Sequence, residues 1–382
     1  MTGETITCKA AIAWKPSEPL SIEDVRVAPP QEDEVRVRIA YSGLCHTDVY
    51  TLSGHDPEGK FPAILGHEGA GIVESCGKGV EDVAPGDHVV LLYTAECRKC
   101  KSCTSGKTNL CTAVRATQGR GVMPDGTVRF TSVRTGQELS HFMGTSSFSQ
   151  YTVVSKYSLV AVDAKAPMDR TCLLGCGITT GYGAASYTAK VEPRSTVAVF
   201  GIGCVGLAVV YACRERGARQ IIAVDTNPDK AKWAADFGAT DFVNPRELPK
   251  ADGADAVVEK LLQLSDGGLD YTFDCTGNVG VMRSALEACH RGWGVSTVVG
   301  VAAAGQEIST RPFQLVTGRH WQGSAFGGVK GRSQLPALVD RYMHGQFEVD
   351  KYVTHRTDLA HINQGLEYMK EGECIRCVVA MS

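Results

Sequence analysis

Val35, Val37 and Ile39 alternate with Arg36, Arg38 and Ala40, the two-residue period of a half-buried strand. Glycine turns recur around it at Gly54, Gly66, Gly69, Gly71, Gly77, Gly79 and Gly86, and Pro85-Gly86-Asp87 ahead of Val89–Leu92 predicts a turn followed by a strand. This first part reads as β-rich. From about Ser195 the rhythm changes. Thr196–Phe200 predicts a short buried strand, followed by a glycine turn and a helix to about Gly217. Gln220–Val224 predicts a strand, Pro228–Phe237 a helix, Asp270–Cys275 a strand, Val279–His290 a helix and Val295–Val299 a strand. Alternating strands and helices imply a parallel sheet covered on both faces. A helix over Ser333–His344 and a strand-like Ile375–Val379 follow, and the polar segment 246–255, with Pro249 and Gly253, reads as a surface loop.

Thr196–Cys213 is nearly all apolar, but Gly201, Gly203 and Gly206 interrupt it and it is short for a bilayer span. A buried strand running into a buried helix accounts for it. At 382 residues the chain fits two domains. A formal net charge of −3 gives no basic footprint for nucleic acid and no polybasic membrane patch, which leaves small molecules and a second subunit as expected partners. Met1–Ala10 has no signal-peptide pattern and Val378–Ser382 no retention or peroxisomal tail, so a cytoplasmic location is expected. With that reading, 15 cysteines predict metal ligands, nucleophiles or core residues and not a disulfide framework.

The strongest motif is Cys97, Cys100, Cys103 and Cys111, spaced C-x2-C-x2-C-x7-C in a polar, basic segment. Four thiolates so placed can enclose one tetrahedral zinc and leave no open position, which makes the site structural; an iron–sulfur cluster uses similar spacing. Gly201-Ile202-Gly203-Cys204-Val205-Gly206 follows a predicted strand and opens a predicted helix, and Asp225 ends the next strand. In that context the glycine fingerprint points to a dinucleotide whose pyrophosphate sits at a helix N-terminus, with Asp225 favouring NAD over NADP by repelling a 2′-phosphate. Cys45, His67-Glu68 and Cys176 are dispersed, and residue by residue each reads more readily as core than as ligand.

Together these segments resemble the zinc-dependent medium-chain alcohol dehydrogenases: Gly-Leu-Cys-His-Thr-Asp at 43–48, Gly-His-Glu-Gly-Ala-Gly-Ile-Val at 66–73, the cysteine lobe, Gly-Cys-Gly-Ile-Thr-Thr-Gly-Tyr-Gly-Ala at 175–184, the glycine fingerprint and Asp225. Asp56-Pro57-Glu58-Gly59, Thr108-Asn109-Leu110-Cys111 with Arg115, Met123–Gly126, Met143–Ser146, Arg311–Gly318 and Ala325–Gly328 are similar to the class III, glutathione-dependent branch. The resemblance implies an α/β architecture, with a β-rich GroES-like catalytic domain at 1–178 and 327–382 and a Rossmann-type NAD domain at 179–326.

It also implies two zinc ions per chain. Cys45, His67 and Cys176 would hold the catalytic one, with Glu68 able to approach it, and Thr47 would relay the substrate proton. Coenzyme contacts would come from His46, Thr180, Gly201, Gly203, Cys204, Val205, Gly206, Asp225, Lys230 and Arg376. Asp56, Glu58, Arg115 and Arg291 would bind a glutathione adduct. Two places depart from the pattern: Tyr50 stands where ethanol-type relatives end the relay with histidine, and Arg291 where class III commonly has lysine. The expected reaction is NAD-dependent oxidation of S-hydroxymethylglutathione, with S-nitrosoglutathione reduction and long-chain alcohol oxidation at the same site. A homodimer joined through edge strands near Trp293–Phe313 is expected. A broad primary-alcohol dehydrogenase is the alternative; a non-enzymatic relative would have lost zinc ligands, and a nucleic-acid zinc ribbon conflicts with the acidic balance.

Overall fold

The structure is a computed structural model that describes residues 3–249 and 255–382. Met1, Thr2 and positions 250–254 of the expected surface loop lie outside the described residues. The chain divides into two compact units, 1–176 with 330–382 and 177–329.

The first unit holds two sheets. One runs Ala63–Ile64, Ile6–Ala13, Ser21–Val27, Phe130–Ser132 and Glu138–Leu139 across its width. The other runs Leu159–Ala161, His88–Leu91, Glu68–Cys76, Glu34–Gly43, Arg376–Ala380 and Val353–Asp358, with Tyr151–Ser155 also paired to Glu34–Gly43. A single core of small and branched side chains joins them, including Ile12, Val25, Val37, Ile64, Leu91 and Phe148. The last strand decides what lies near the expected metal ligands. Its Val378 pairs with Gly43, and Gly43 pairs with Glu68 on the other side. Three strands distant in sequence thus stand level at one point of the sheet.

The alternation read over residues 35–40 holds for Arg38, which is exposed, but not for Arg36, which is 2% exposed. The pairing with Glu68–Cys76 shifts register between Arg36 and Val37, which leaves Glu74 as the extra residue on the opposite strand, its carboxylate covering Arg36. Its guanidinium meets Glu74 at 2.5 Å and donates to the Glu4 carbonyl at 2.7 Å.

The second unit is built on a six-stranded sheet in the order Asp241–Val243, Gln220–Val224, Thr196–Phe200, Tyr271–Asp274, Val295–Val298, His320–Gly323. Every pairing is parallel, and the chain order 3-2-1-4-5-6 is that of a Rossmann fold. Its switch point lies beside Thr196–Phe200, which feeds the helix Cys204–Glu215 through the glycine turn. That helix is buried from Gly206 to Cys213, which explains the long apolar run. Among the described residues no helix is long and apolar enough to cross a membrane. Of the strands near Trp293–Phe313, Val295–Val298 is flanked on both sides, and the neighbouring edge of the sheet is His320–Gly323.

Candidate metal centres and coenzyme loop

Cys45 precedes the short helix His46–Leu52, and His67 lies immediately before the strand Glu68–Cys76. Cys176 ends the tight turn Cys172–Gly175. These elements bring ligand atoms of Cys45, His67, Glu68 and Cys176 within 4.8 Å of one another, all buried. His67 Nε2 is buried with no hydrogen-bond partner, while Nδ1 meets Asp48 Oδ1 at 3.0 Å. An imidazole held by a carboxylate at one nitrogen and bare at the other is the form a metal-ligating histidine takes. The donor set of two thiols and one imidazole suits zinc.

Sequence reasoning passed over Asp48. Its Oδ2 accepts from the Cys45 N–H at 3.1 Å, and Oδ1 accepts from the Gly66 N–H at 3.1 Å as well as facing His67. One buried carboxylate therefore fixes both ligand-bearing segments. Its place three residues after Cys45, at the third helical position, was the available signal.

Arg376 belongs to the same cluster. Its guanidinium is 3% exposed and donates to Glu68 Oε1 and Oε2 at 3.2 and 3.3 Å and toward Cys45 Sγ at 3.6 Å. Burial pushes the Glu68 carboxyl up to about 7, and Arg376 opposes the shift. The Cys45 thiol is drawn well below its ordinary value, first by a hydrogen bond from Cys176 and then, against burial, by Arg376. Thr47 Oγ1 lies 3.7 Å from Cys45 Sγ, and His46 is exposed on the same turn.

The four lobe cysteines also converge, with sulfurs within 4.8 Å of one another. Backbone N–H groups aim at them: Lys99 and Cys100 donate to Cys97 Sγ at 3.4 and 3.2 Å, Cys103 to Cys100 Sγ at 3.4 Å, and Cys97 to Cys111 Sγ at 3.4 Å. Hydrogen bonds from the Thr112 and Cys103 backbone hold the Cys100 thiol down to about 5, whereas burial pushes Cys111 up to about 12. Four sulfurs this close keep their negative charge together only around a cation. All 15 cysteines are free of disulfides. The lobe is anchored to the returning chain, with Lys330 Nζ donating to the Cys103 carbonyl at 2.7 Å and Arg98 to the Arg332 carbonyl at 2.9 Å.

In the second unit Gly201 has φ +88°, and a Cβ on Gly206 would fall 1.9 Å from the Gly201 carbonyl oxygen. A Cβ on Gly203 would meet nothing within 4 Å, so the loop is open where the helix N-terminus begins at buried Cys204 and half-buried Val205. The Asp225 carboxylate accepts from Ile202 N–H at 2.7 Å, Asn227 N–H at 2.9 Å and Lys230 Nζ at 3.1 Å, so a fixed negative charge stands beside the loop. Thr180 Oγ1 is buried without a partner. These features fit a dinucleotide. Arg291 is exposed, its guanidinium 5.9 Å from the Phe313 ring centre.

The polypeptide matches two family models, the alcohol dehydrogenase GroES-like domain over residues 31–164 and the zinc-binding dehydrogenase over 204–343. It is 63% identical to the S-(hydroxymethyl)glutathione dehydrogenase of Candida maltosa over 100% of this chain and 98% of that protein. The chain belongs to the class-3 zinc-dependent alcohol dehydrogenases. With the Pisum sativum alcohol dehydrogenase class-3 the identity is 57%, covering 99% of each chain. Among solved structures, an alcohol dehydrogenase zinc-binding domain protein from Burkholderia ambifaria superposes with TM-score 0.91 at 34% identity, covering 99% of this chain and all of that one. Benzyl alcohol dehydrogenase from Acinetobacter calcoaceticus gives 0.89 at 29%, with the same coverage.

Of the residues by which the chain resembles this branch, Arg115 lies on the helix Thr112–Gln118, which begins at the last lobe cysteine. Arg115 Nη2 meets Glu58 Oε1 at 2.5 Å, both side chains about half exposed. At the helix end Gln118 Nε2 donates to the Tyr93 carbonyl at 2.6 Å and to the Met143 carbonyl. The Tyr93 and Phe142 rings stand edge-on to His67 at 5.8 and 6.0 Å.

Proposed function

We propose that the enzyme oxidises S-hydroxymethylglutathione with NAD to S-formylglutathione, releasing NADH and a proton. Reduction of S-nitrosoglutathione with NADH and oxidation of long-chain primary alcohols would use the same groups. The observation that carries this reading is the Thr112–Gln118 helix: it presents Arg115 while Gln118 ties it to the two segments that wall His67. A cationic grip is thus built at a fixed distance from the metal ligands, which a small uncharged alcohol does not require.

Cys45, His67 and Cys176 would hold the catalytic zinc, Glu68 standing by, and Cys97, Cys100, Cys103 and Cys111 a second, structural zinc. When bound, zinc supplies Lewis acidity to the alcohol oxygen, and NAD accepts the hydride. Asp48 fixes the His67 tautomer, and Thr47 would relay the substrate hydroxyl proton, accepting it as its own hydroxyl proton is passed on. Arg115 grips a substrate carboxylate with paired hydrogen bonds, and Glu58 faces the γ-glutamyl ammonium, with Arg291 adding positive charge. Gly201, Gly203 and Gly206 admit the pyrophosphate, Asp225 with Lys230 selects NAD, and Thr180, Cys204 and Val205 shape the coenzyme site. Positions 1–178 with 327–382 act as the catalytic domain and 179–326 as the NAD domain.

Support for a homodimer comes from exposed Trp293 (56%), Val301 (72%), Phe313 (67%) and Val316 (77%), apolar surface of a kind that marks interfaces. A cytoplasmic location accords with the free cysteines. The deciding assay is NAD-dependent oxidation of formaldehyde with and without glutathione, beside ethanol. Turnover that needs glutathione supports the reading; equal turnover without it, or better turnover of ethanol, favours a broad primary-alcohol dehydrogenase.

A further inference from the structure

We infer that Gln118 is a positioning residue: it fixes how far Arg115 stands from the Cys45–His67–Cys176 cluster and so sets the length of acidic substrate the enzyme accepts. The inference rests on the glutathione-adduct reading above and deepens it.

Arg115 and Gln118 stand three residues apart on the helix Thr112–Gln118, neighbours on its surface. At its start the helix is held by the lobe, because Cys111 is its N-cap residue. At its end the Gln118 side chain reaches inward. Its Nε2 donates to the Tyr93 carbonyl at 2.6 Å and to the Met143 carbonyl. Two carbonyls around one amide nitrogen fix the orientation of that amide, since an oxygen in the same place would face acceptors on both sides. The carbonyls belong to separate segments, and each segment sets a ring edge-on to His67, Tyr93 at 84° and Phe142 at 72°. Met143 has φ +52° and Ser146 φ +48°. Residues with side chains stay in that left-handed region where surrounding contacts hold them there, and the bond from Gln118 is one such contact on Met143. One amide thus joins the helix bearing the cation to both walls beside His67.

An acid substrate that brings its hydroxyl to the cluster and its carboxylate to Arg115 must span the distance between them. A helix fixed at both ends keeps that distance constant, and substrates are sorted by length. A helix held at its lobe end alone meets a range of lengths and matches none of them closely. The walls do not rest on Gln118 alone. The Gly121 carbonyl accepts from the His141 N–H at 2.8 Å, and the Thr145 hydroxyl donates to the Gly66 carbonyl at 3.2 Å. Gln118→Met, similar in length but without a donor, and Gln118→Glu, without a donor when ionised, should therefore fold.

The test measures kcat/KM with NAD for straight-chain ω-hydroxy acids and for 1-alkanols of the same lengths, with thermal midpoints to confirm folding. The acid-to-alkanol ratio at each length cancels the burial of methylenes and any change in the walls, and leaves the carboxylate contact. In the wild-type enzyme the ratio should pass through a maximum at one chain length. In Gln118→Met and Gln118→Glu that maximum should fall about 10-fold, the loss of roughly one charge-assisted hydrogen bond, and spread to neighbouring lengths. In the Arg115→Ala background the ratio should be flat, and adding Gln118→Met should not move it, because the two residues act together. Variants that keep the wild-type maximum would overturn the inference. So would a loss of equal size at every length, or the same loss in the Arg115→Ala background, since either marks a general structural role. A flat wild-type ratio from an enzyme that needs glutathione would overturn this inference alone. An enzyme indifferent to glutathione would defeat the proposed function and this inference with it, an outcome visible before any variant is made.

Discussion

Asp48→Asn changes one atom of a carboxylate that is 1% exposed, yet three groups on two metal-ligand segments depend on it. Oδ1 serves Gly66 N–H and His67 Nδ1, and Oδ2 serves Cys45 N–H. An asparagine has one acceptor oxygen and one NH2. With its oxygen toward Gly66 and His67, the NH2 faces the Cys45 N–H, donor against donor; flipped, it faces Gly66 and His67. Either orientation strands buried donors at about 1–3 kcal/mol, which is roughly 5- to 150-fold in an equilibrium constant. Loss of a carboxylate behind a metal-ligating histidine lowers metal affinity about 10- to 100-fold, so two independent routes give one range. The assay is zinc release to a chromogenic chelator at graded chelator strength. Two zinc ions should leave in two steps, and in Asp48→Asn the activity-linked step should shift by 10- to 100-fold while the lobe zinc stays. Unchanged zinc affinity, or both steps shifting together, would refute the view that Asp48 specifically supports Cys45 and His67.

Cys103→Ser should lower the yield of folded protein and raise susceptibility to proteolysis, since lobe zinc contributes folding free energy; a variant that binds one zinc and melts like wild type would contradict this. Asp225→Gly should raise NADP use relative to NAD by at least ~10-fold, measured as the ratio of kcat/KM for the two coenzymes, and an unchanged ratio would remove Asp225 as the discriminator. Arg115→Ala should raise KM for the glutathione adduct and leave octanol nearly untouched. The gain from a paired contact, about 1.5–3 kcal/mol, is offset by the half-exposed Glu58 pair that must be given up, about 0.2–1 kcal/mol, so the net is roughly 2- to 100-fold; equal losses on both substrates would make Arg115 structural.

What could be read in advance followed the sequence range of each feature. The cysteine lobe and the glycine loop were legible because all their chemistry lies within short stretches, Cys97–Cys111 and Gly201–Gly206. The parallel sheet was legible because each strand and helix announces its own period. The ligands Cys45, His67 and Cys176 could be grouped only by resemblance, because the sheet, and not their spacing, brings them together. Arg376 was read as a pyrophosphate contact from the resemblance; its ion pair with Glu68 was not legible, because strand pairing sets it. The buried Arg36 was invisible to periodicity because what covers it, Glu74 and the Glu4 and Val27 carbonyls, comes from other stretches of the chain. Asp48 was missed because an acidic residue in a first helical turn has an ordinary explanation in the helix dipole.

The strand Arg376–Ala380 has a consequence for how the enzyme is made. Ribosomal synthesis delivers the chain from the N-terminus, and Cys45, His67 and Cys176 are all out long before Arg376 is. At roughly 5–20 residues per second the interval is about 10–40 s. Through that time the Glu34–Gly43 strand has a bare edge where Arg376–Ala380 will lie, and Glu68 has no guanidinium beside it. Assembly of the catalytic ligand pocket therefore waits on the synthesis of Arg376–Ala380, whereas the cysteine lobe has its complete ligand set as soon as Cys111 has emerged.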